Sequence, residues 1–307
     1  MQEKQSVSGE REPFLQLFVL FGLVFLGLIV ASVVSFVFGF FTYGTEVLKD
    51  PSLLANTTPA NIGYLKIQLV IQQVLTFLLP ALLLAVIEKR KIGQFYGLKT
   101  PKLSLLITVF LIMFCSTPIL GYVNELNLKM HLPGFLKGLE NLIRNLEDSM
   151  ALTTAAILKM DTVFGWLVNL LVIALVPAIC EEFLFRGGLQ RTLLRLITNK
   201  HVAVWAGAII FSAIHLQFFG FFPRMFLGAA FGYIYLWTGS IKYTIFAHFL
   251  NNGYAVTIAY YLQKNNIPIE KADEINIAWY GYFISAFLTI ALFWILKDKA
   301  GAKEIKE

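Results

Sequence analysis

Residues 163–186 read VFGWLVNLLVIALVPAICEEFLFR: eighteen residues without a charge from Val163 to Cys180, then Glu181 and Glu182, with Arg186 four positions after the second glutamate. An uncharged run of that length forms a helix able to cross a hydrocarbon core about 30 Å thick. The glutamates at its end set the problem, because ionisable groups within membrane spans are costly and chains that keep them generally use them.

The rest of the chain is of the same kind. Its 307 residues are 57% hydrophobic and only 14% charged, with a mean hydropathy of +0.70, outside the range of a soluble globular domain. Apolar runs recur from end to end and predict an all-α, polytopic transmembrane helical bundle of about eight spans, one integral membrane domain over residues 1–307. The spans are Pro13 to Phe41, Ile67 to Ile87, Leu103 to Tyr122, Val163 to Cys180, Val202 to Phe218, Phe221 to Trp237, Ile241 to Leu262 and Ile277 to Leu296. The first is too long for a signal-peptide core and is read as a retained span. Only Gly220 and the Phe222-Pro223 pair divide the fifth from the sixth.

Basic residues orient the bundle. Lys89, Arg90, Lys91, Lys99 and Lys102 follow the second span, Arg191, Arg195 and Lys200 the fourth, and Lys297, Lys299, Lys303 and Lys306 the last. With eight spans these segments share one side, which places both termini in the cytoplasm. The net charge of +6 is mostly this topology signal, with attraction to anionic lipid as a by-product; nothing in it points to nucleic acid. Residues 44–64 hold turn formers. Residues 123–161 place Leu139, Leu142, Ile143 and Leu146 at helical spacing, which reads as an amphipathic surface helix or as a lid over a lateral entrance. Cys115 and Cys180 form neither a zinc ribbon nor a redox pair. Cys180 adjoins Glu181 but points about 100° away from it, and buried cysteine often serves simply as a small apolar residue.

Three polar clusters remain. Glu182 and Arg186 share a helical face and pair in the favourable direction, which leaves Glu181 without a local partner. Desolvation is the usual route by which a carboxyl becomes an acid or base working near neutrality; taken alone, the trio equally suits a solvated helix end. His215 lies deep in an apolar run, four residues after Phe211, where a lone histidine also serves as a hydrogen-bonded packing residue. His248 and Asn252 project from one face as two donors for an oxyanion, or as a metal ligand and the group that orients it. His131 and His201 read as surface loop residues. If the fourth helix continues past Gly187-Gly188 and the chain turns near Asn199, Glu181 and His215 both lie roughly 25 Å from the turn at about 1.5 Å per residue, on one level of an antiparallel hairpin. Pro177, one turn before the glutamates, opens the helix and frees a carbonyl there.

Glu-Glu-x-x-x-Arg, Phe-x-x-x-His and His-x-x-x-Asn, in that order on successive membrane helices, resemble the CAAX protease and bacteriocin-processing family of intramembrane proteases, also called the Abi family. The resemblance covers a core at residues 163–262, and Phe95-Tyr96-Gly97-Leu98 is similar to a segment common in bacterial members. It implies an endopeptidase acting within the membrane, open to the cytoplasm or to lateral entry. Glu181 with His215 activates a water, His248 and Asn252 stabilise the tetrahedral oxyanion, and Glu182, Arg186 and Phe211 support the helix or the substrate. An amide needs such a base and such donors. Two histidines and a carboxylate with an open position, His215, His248 and Glu181, would suit a catalytic Zn2+ that activates water; the family is commonly called a metalloprotease family, a label that identifies no ligand. The His-Glu-x-x-His zincin pattern is absent, and a metal-free glutamate mechanism stands beside it.

The expected partners are a peptide or membrane-protein substrate and the lipid bilayer, without nucleic acid, in a bacterial plasma membrane. Two other classes stay open: a non-catalytic scaffold or bacteriocin self-immunity protein, and a proton-coupled transporter, which predicts inverted repeats. The first three spans carry no counterpart of the polar clusters.

Overall fold

Every regular element in the computed structural model, which describes residues 9–268 and 277–301, is a helix. The long ones are α1 (Pro13–Tyr43), α2 (Pro59–Ile87), α3 (Leu103–Leu128), α4 (Lys137–Ile157), α5 (Val163–Leu196), α6 (Lys200–Ala213), α7 (Phe221–Thr238), α8 (Ile241–Lys264) and α9 (Trp279–Lys299). Five of these, α1, α2, α3, α5 and α9, are long and apolar enough to cross a membrane. Each of the remaining expected spans coincides with a helix. α6 is apolar but has only 14 residues, about 21 Å of rise; α7 carries Arg224, and α8 carries Lys242, His248, Asn251 and Asn252. Phe14, Phe18 and Phe25 on α1 and Trp279, Phe283, Phe287 and Trp294 on α9 are exposed, a surface that lipid covers and water would penalise. The protein is thus an integral membrane helical bundle.

As the hairpin reading requires, α5 runs through Gly187-Gly188 to Leu196, and Asn199 caps the next helix by accepting from His201 N and Val202 N. Several positions differ from the sequence reading: His201 sits in the first turn of α6, not in a loop, and α2 begins at Pro59 instead of Ile67. α6 stops at Ala213 instead of continuing to Phe218, and α3 continues to Leu128 instead of Tyr122. Lys303 and Lys306 lie outside the described residues.

Close approach at glycine positions the helices. A Cβ on Gly187 would meet the Tyr96 ring at 2.0 Å, and one on Gly27 would meet the Leu75 carbonyl oxygen at 2.3 Å. Pro118 interrupts the α3 ladder, and Ser285 of α9 fills the gap, its hydroxyl accepting from Ile119 N at 3.2 Å and donating to Cys115 O at 2.6 Å. α8 packs against α3, α5 and α7, which makes α5 and α8 the central pair.

The segments after α2 and α5 gather at one end. Gly97 has a φ of +61°, which glycine adopts without penalty, and a Cβ there would collide with the Gly239 carbonyl between α7 and α8; Arg191 lies over the Phe95 ring at 4.2 Å. At the same end the buried Glu10 meets Arg191, Arg195 and Arg90 at 2.7, 3.0 and 3.4 Å. At the other end α4 is amphipathic, as expected. Its Glu140 accepts from His131, Leu132 N and Arg144, and these bonds hold its carboxyl down at about 2.

Candidate active site

α5 carries the two glutamates between two stretches of π geometry, residues 170–175 and 183–190; such widened turns recur at functional sites. Pro177 has no N–H to offer the carbonyl of Ile173 four residues earlier. That carbonyl instead accepts from Asn252 Nδ2 of α8 at 3.4 Å. The opened helix predicted at Pro177 therefore joins α5 to the second residue of the His-x-x-x-Asn pair.

Glu182 is fully buried and Arg186 is 1% exposed. Arg186 Nε lies 3.1 Å from Glu182 Oε2, an ion pair whose N–H is not aligned for a hydrogen bond. The guanidinium also donates to Gly228 O at 3.2 Å and lies 4.9 Å from the Phe211 ring centre. Glu182 Oε1 is 3.0 Å from His248 Nδ1. Since a carboxylate only accepts, that nitrogen carries the proton, and the other, Nε2, is left facing Glu181 at 3.9 Å from Oε2. The His248 ring stacks on Phe231 at 5.1 Å. Glu182 and Arg186 thus fix the tilt and tautomer of His248, while Glu181 itself receives one hydrogen bond, from Gln73 Nε2 of α2 at 3.0 Å.

His215 sits just past the end of α6. Its Nδ1 is 2.8 Å from Phe211 O, a carbonyl released where the helix stops, so the Phe-x-x-x-His spacing is a helix-end geometry. The next residue, Leu216, has a φ of +53°, uncommon for a bulky side chain. The surrounding turn is held from several sides: Asn127 donates to Phe218 O and accepts from Phe222 N, Glu147 of α4 accepts from Phe218 N and Phe219 N, and Ser212 donates to Phe221 O. Irregular backbone within a membrane protein survives where protein satisfies it in this way.

Glu181, Phe211, His215, His248 and Asn252 line one cavity of about 300 Å³. Five of the seven residues singled out from sequence therefore converge, and the other two, Glu182 and Arg186, stand behind His248. Asn124, Arg224 and Asn251 line the same cavity; they and Gln73 escaped the sequence reading. Arg224 carried a usable signal, a charge inside an apolar run, the same feature that drew attention to Glu181. Among the described residues no three His, Cys, Asp or Glu side chains are grouped as ligands of a metal ion. Nδ1 of both histidines already has a protein partner.

Residues 163–254 match the family model described as Type II CAAX prenyl endopeptidase Rce1-like, a segment that contains every residue of the three motifs. The assignment to the CAAX protease and bacteriocin-processing family is supported over that segment. The chain is also 29% identical over 110 residues to the uncharacterized protein YpbD of Bacillus subtilis (strain 168), covering 34% of this chain and 52% of that protein. The match thus spans about half the length of the curated relative. No solved structure matches the chain.

Proposed function

We propose that the chain is an intramembrane endopeptidase in which Glu181, with His215, activates a water against a peptide carbonyl held in this cavity. The water oxygen bonds to the carbonyl carbon as its proton passes to Glu181. The oxyanion so formed accepts from the Asn252 amide beside the His248 ring, and the C–N bond breaks as the proton moves from Glu181 to the leaving nitrogen. Glu182 and Arg186 are positioning residues that act through His248. The observation that carries the reading is the convergence of Glu181, His215, His248 and Asn252 on one cavity from α5, the turn after α6, and α8.

The proposal includes eight crossings, α4 lying on the surface, both termini in the cytoplasm, and a bacterial cell membrane as the location. The gathering of the basic segments at one end of the bundle supports that orientation. The substrate class is a CAAX-type prenylated peptide, a leader peptide or a segment of another membrane protein. The test is cleavage of a peptide and membrane-protein library by detergent-purified chain beside an equally folded Glu181→Ala variant. Cleavage by the wild type alone is expected; equal cleavage by both would remove Glu181 from the mechanism. The steps above use side chains alone, and the same assay with and without a chelator measures dependence on Zn2+.

A further inference from the structure

Among the described residues six of the seven arginines face a carboxylate: Arg11 faces Glu88, Arg90, Arg191 and Arg195 face Glu10, Arg144 faces Glu140, and Arg186 faces Glu182. Arg224 is the exception: it lines the cavity and forms no ion pair, and Glu181 of the same cavity and Glu147 act on it only from farther away. Its Nη2 donates to Gln217 Oε1 at 2.5 Å, which orients the guanidinium, while Nη1 is buried with no hydrogen-bond partner. A buried donor left unpaired carries its full desolvation cost; Arg90 Nε and Arg186 Nε are also without a hydrogen bond but have a carboxylate at 3.4 and 3.1 Å, which Arg224 does not. Arg224 also sits in the first turn of α7, where a cation opposes the helix dipole and an anion is favoured.

We propose that Arg224 is a substrate-binding residue that receives a carboxylate of the peptide being cleaved. The planar guanidinium matches a carboxylate in two parallel hydrogen bonds; the amides of Asn124 and Asn251 in the same cavity are neutral, and Glu181, which shares the cavity and attracts Arg224, stands beyond ion-pair distance of it. The carboxylate is either the free C-terminus of the peptide or an Asp or Glu side chain near the scissile bond. This assignment rests on the reading of the cavity as a peptide-hydrolysing site, and it makes that site selective for peptides carrying a negative charge at one defined place.

Calorimetric binding to the full chain in detergent tests it, with three probes: N-acetyl-Leu-Leu-Phe as the free acid, the same peptide as its C-terminal amide, and N-acetyl-Leu-Asp-Phe amide. The free acid or the Asp peptide is expected to bind about 10- to 100-fold more tightly than the uncharged amide, the range for hydrogen bonds to a charged group. Preference for the free acid places the carboxylate at the chain terminus; preference for the Asp peptide places it on a side chain. The gap should close in Arg224→Gln and narrow in Arg224→Lys, which keeps the charge but loses the fork. Equal affinity for all three probes, no binding of any, or a gap that persists in a folded Arg224→Gln overturns the proposal. The wild-type comparison stands even where the variants do not fold. Measured again in Glu181→Ala, the gap separates the two readings: binding preference without cleavage by the wild type sinks hydrolysis alone, and cleavage without preference sinks the carboxylate subsite alone.

Discussion

Glu10 and Glu181 are both buried carboxylates, one packed against α5 and the other within it, and the fold treats them in opposite ways. Glu10 meets three guanidiniums within 3.4 Å. Burial works against its ionisation, yet Arg191, Arg195 and Arg90 outweigh burial and hold its carboxyl below the usual range. Glu181 has a neutral amide at 3.0 Å and a histidine nitrogen at 3.9 Å, and the arginine across its cavity, Arg224, attracts it without closing to an ion pair. Charges that fasten the N-terminal segment to α2 and α5 are each paired with an opposite charge. Those around the cavity are left incomplete, with capacity for something that arrives. Glu182 belongs with Glu10, although it is next to Glu181 in the chain.

The contrast breaks most visibly at the dipeptide. Replacing Glu181 with alanine is expected to lower cleavage by about 10²- to 10⁴-fold with little change in thermal unfolding; a comparable loss of folding would make Glu181 a structural charge like Glu10. Glu182→Ala should do the reverse first, costing about 3–5 kcal/mol of stability because Arg186 is left buried without its counter-charge. Denaturation in detergent reads this, and a stable Glu182→Ala protein would show that Arg186 does not need the pair. At the other cluster Glu10→Gln should cost about 1–3 kcal/mol, less because solvent reaches part of its arginines, while cleavage per folded molecule stays at the wild-type level.

The smallest effect is a pH dependence. A carboxyl held below its ordinary value of 4.5 contributes stability that is fully present above that value and lost as pH falls through the lower, folded one. Melting temperatures of wild type and Glu10→Gln should therefore differ at neutral pH and converge only in acid, below the ordinary carboxylate range. Curves that stay parallel throughout would mean that Glu10 is not ionised in the folded protein.

Much of this arrangement is legible in the amino-acid sequence alone. Run length locates the helices, because crossing hydrocarbon requires an uninterrupted apolar stretch. Spacing of four pairs Glu182 with Arg186 and aligns His248 with Asn252, because these are contacts within one helix. Even the carbonyl freed by Pro177 follows from local geometry. What spacing does not supply is partnership across the bundle. Gln73 reaches Glu181 over 108 residues, and Glu10 finds Arg191 over 181, at distances in sequence where no periodicity operates. The end of α6 at Ala213 is hidden for a similar reason. The apolar run continues to Phe219 apart from His215 and Gln217, and the chain turns there because Asn127 and Glu147, from two other helices, take up its backbone groups.

The Asn252 amide rests on the Ile173 carbonyl at 3.4 Å, the long end of a hydrogen bond. In the proposed reaction this is a standby position. Releasing so weak a neutral bond costs about 1 kcal/mol or less, whereas a side chain tied to a carboxylate would resist turning. Pro177, on a different helix and 75 positions upstream of Asn252, thereby governs how readily the amide swings toward charge that appears for an instant and then is gone.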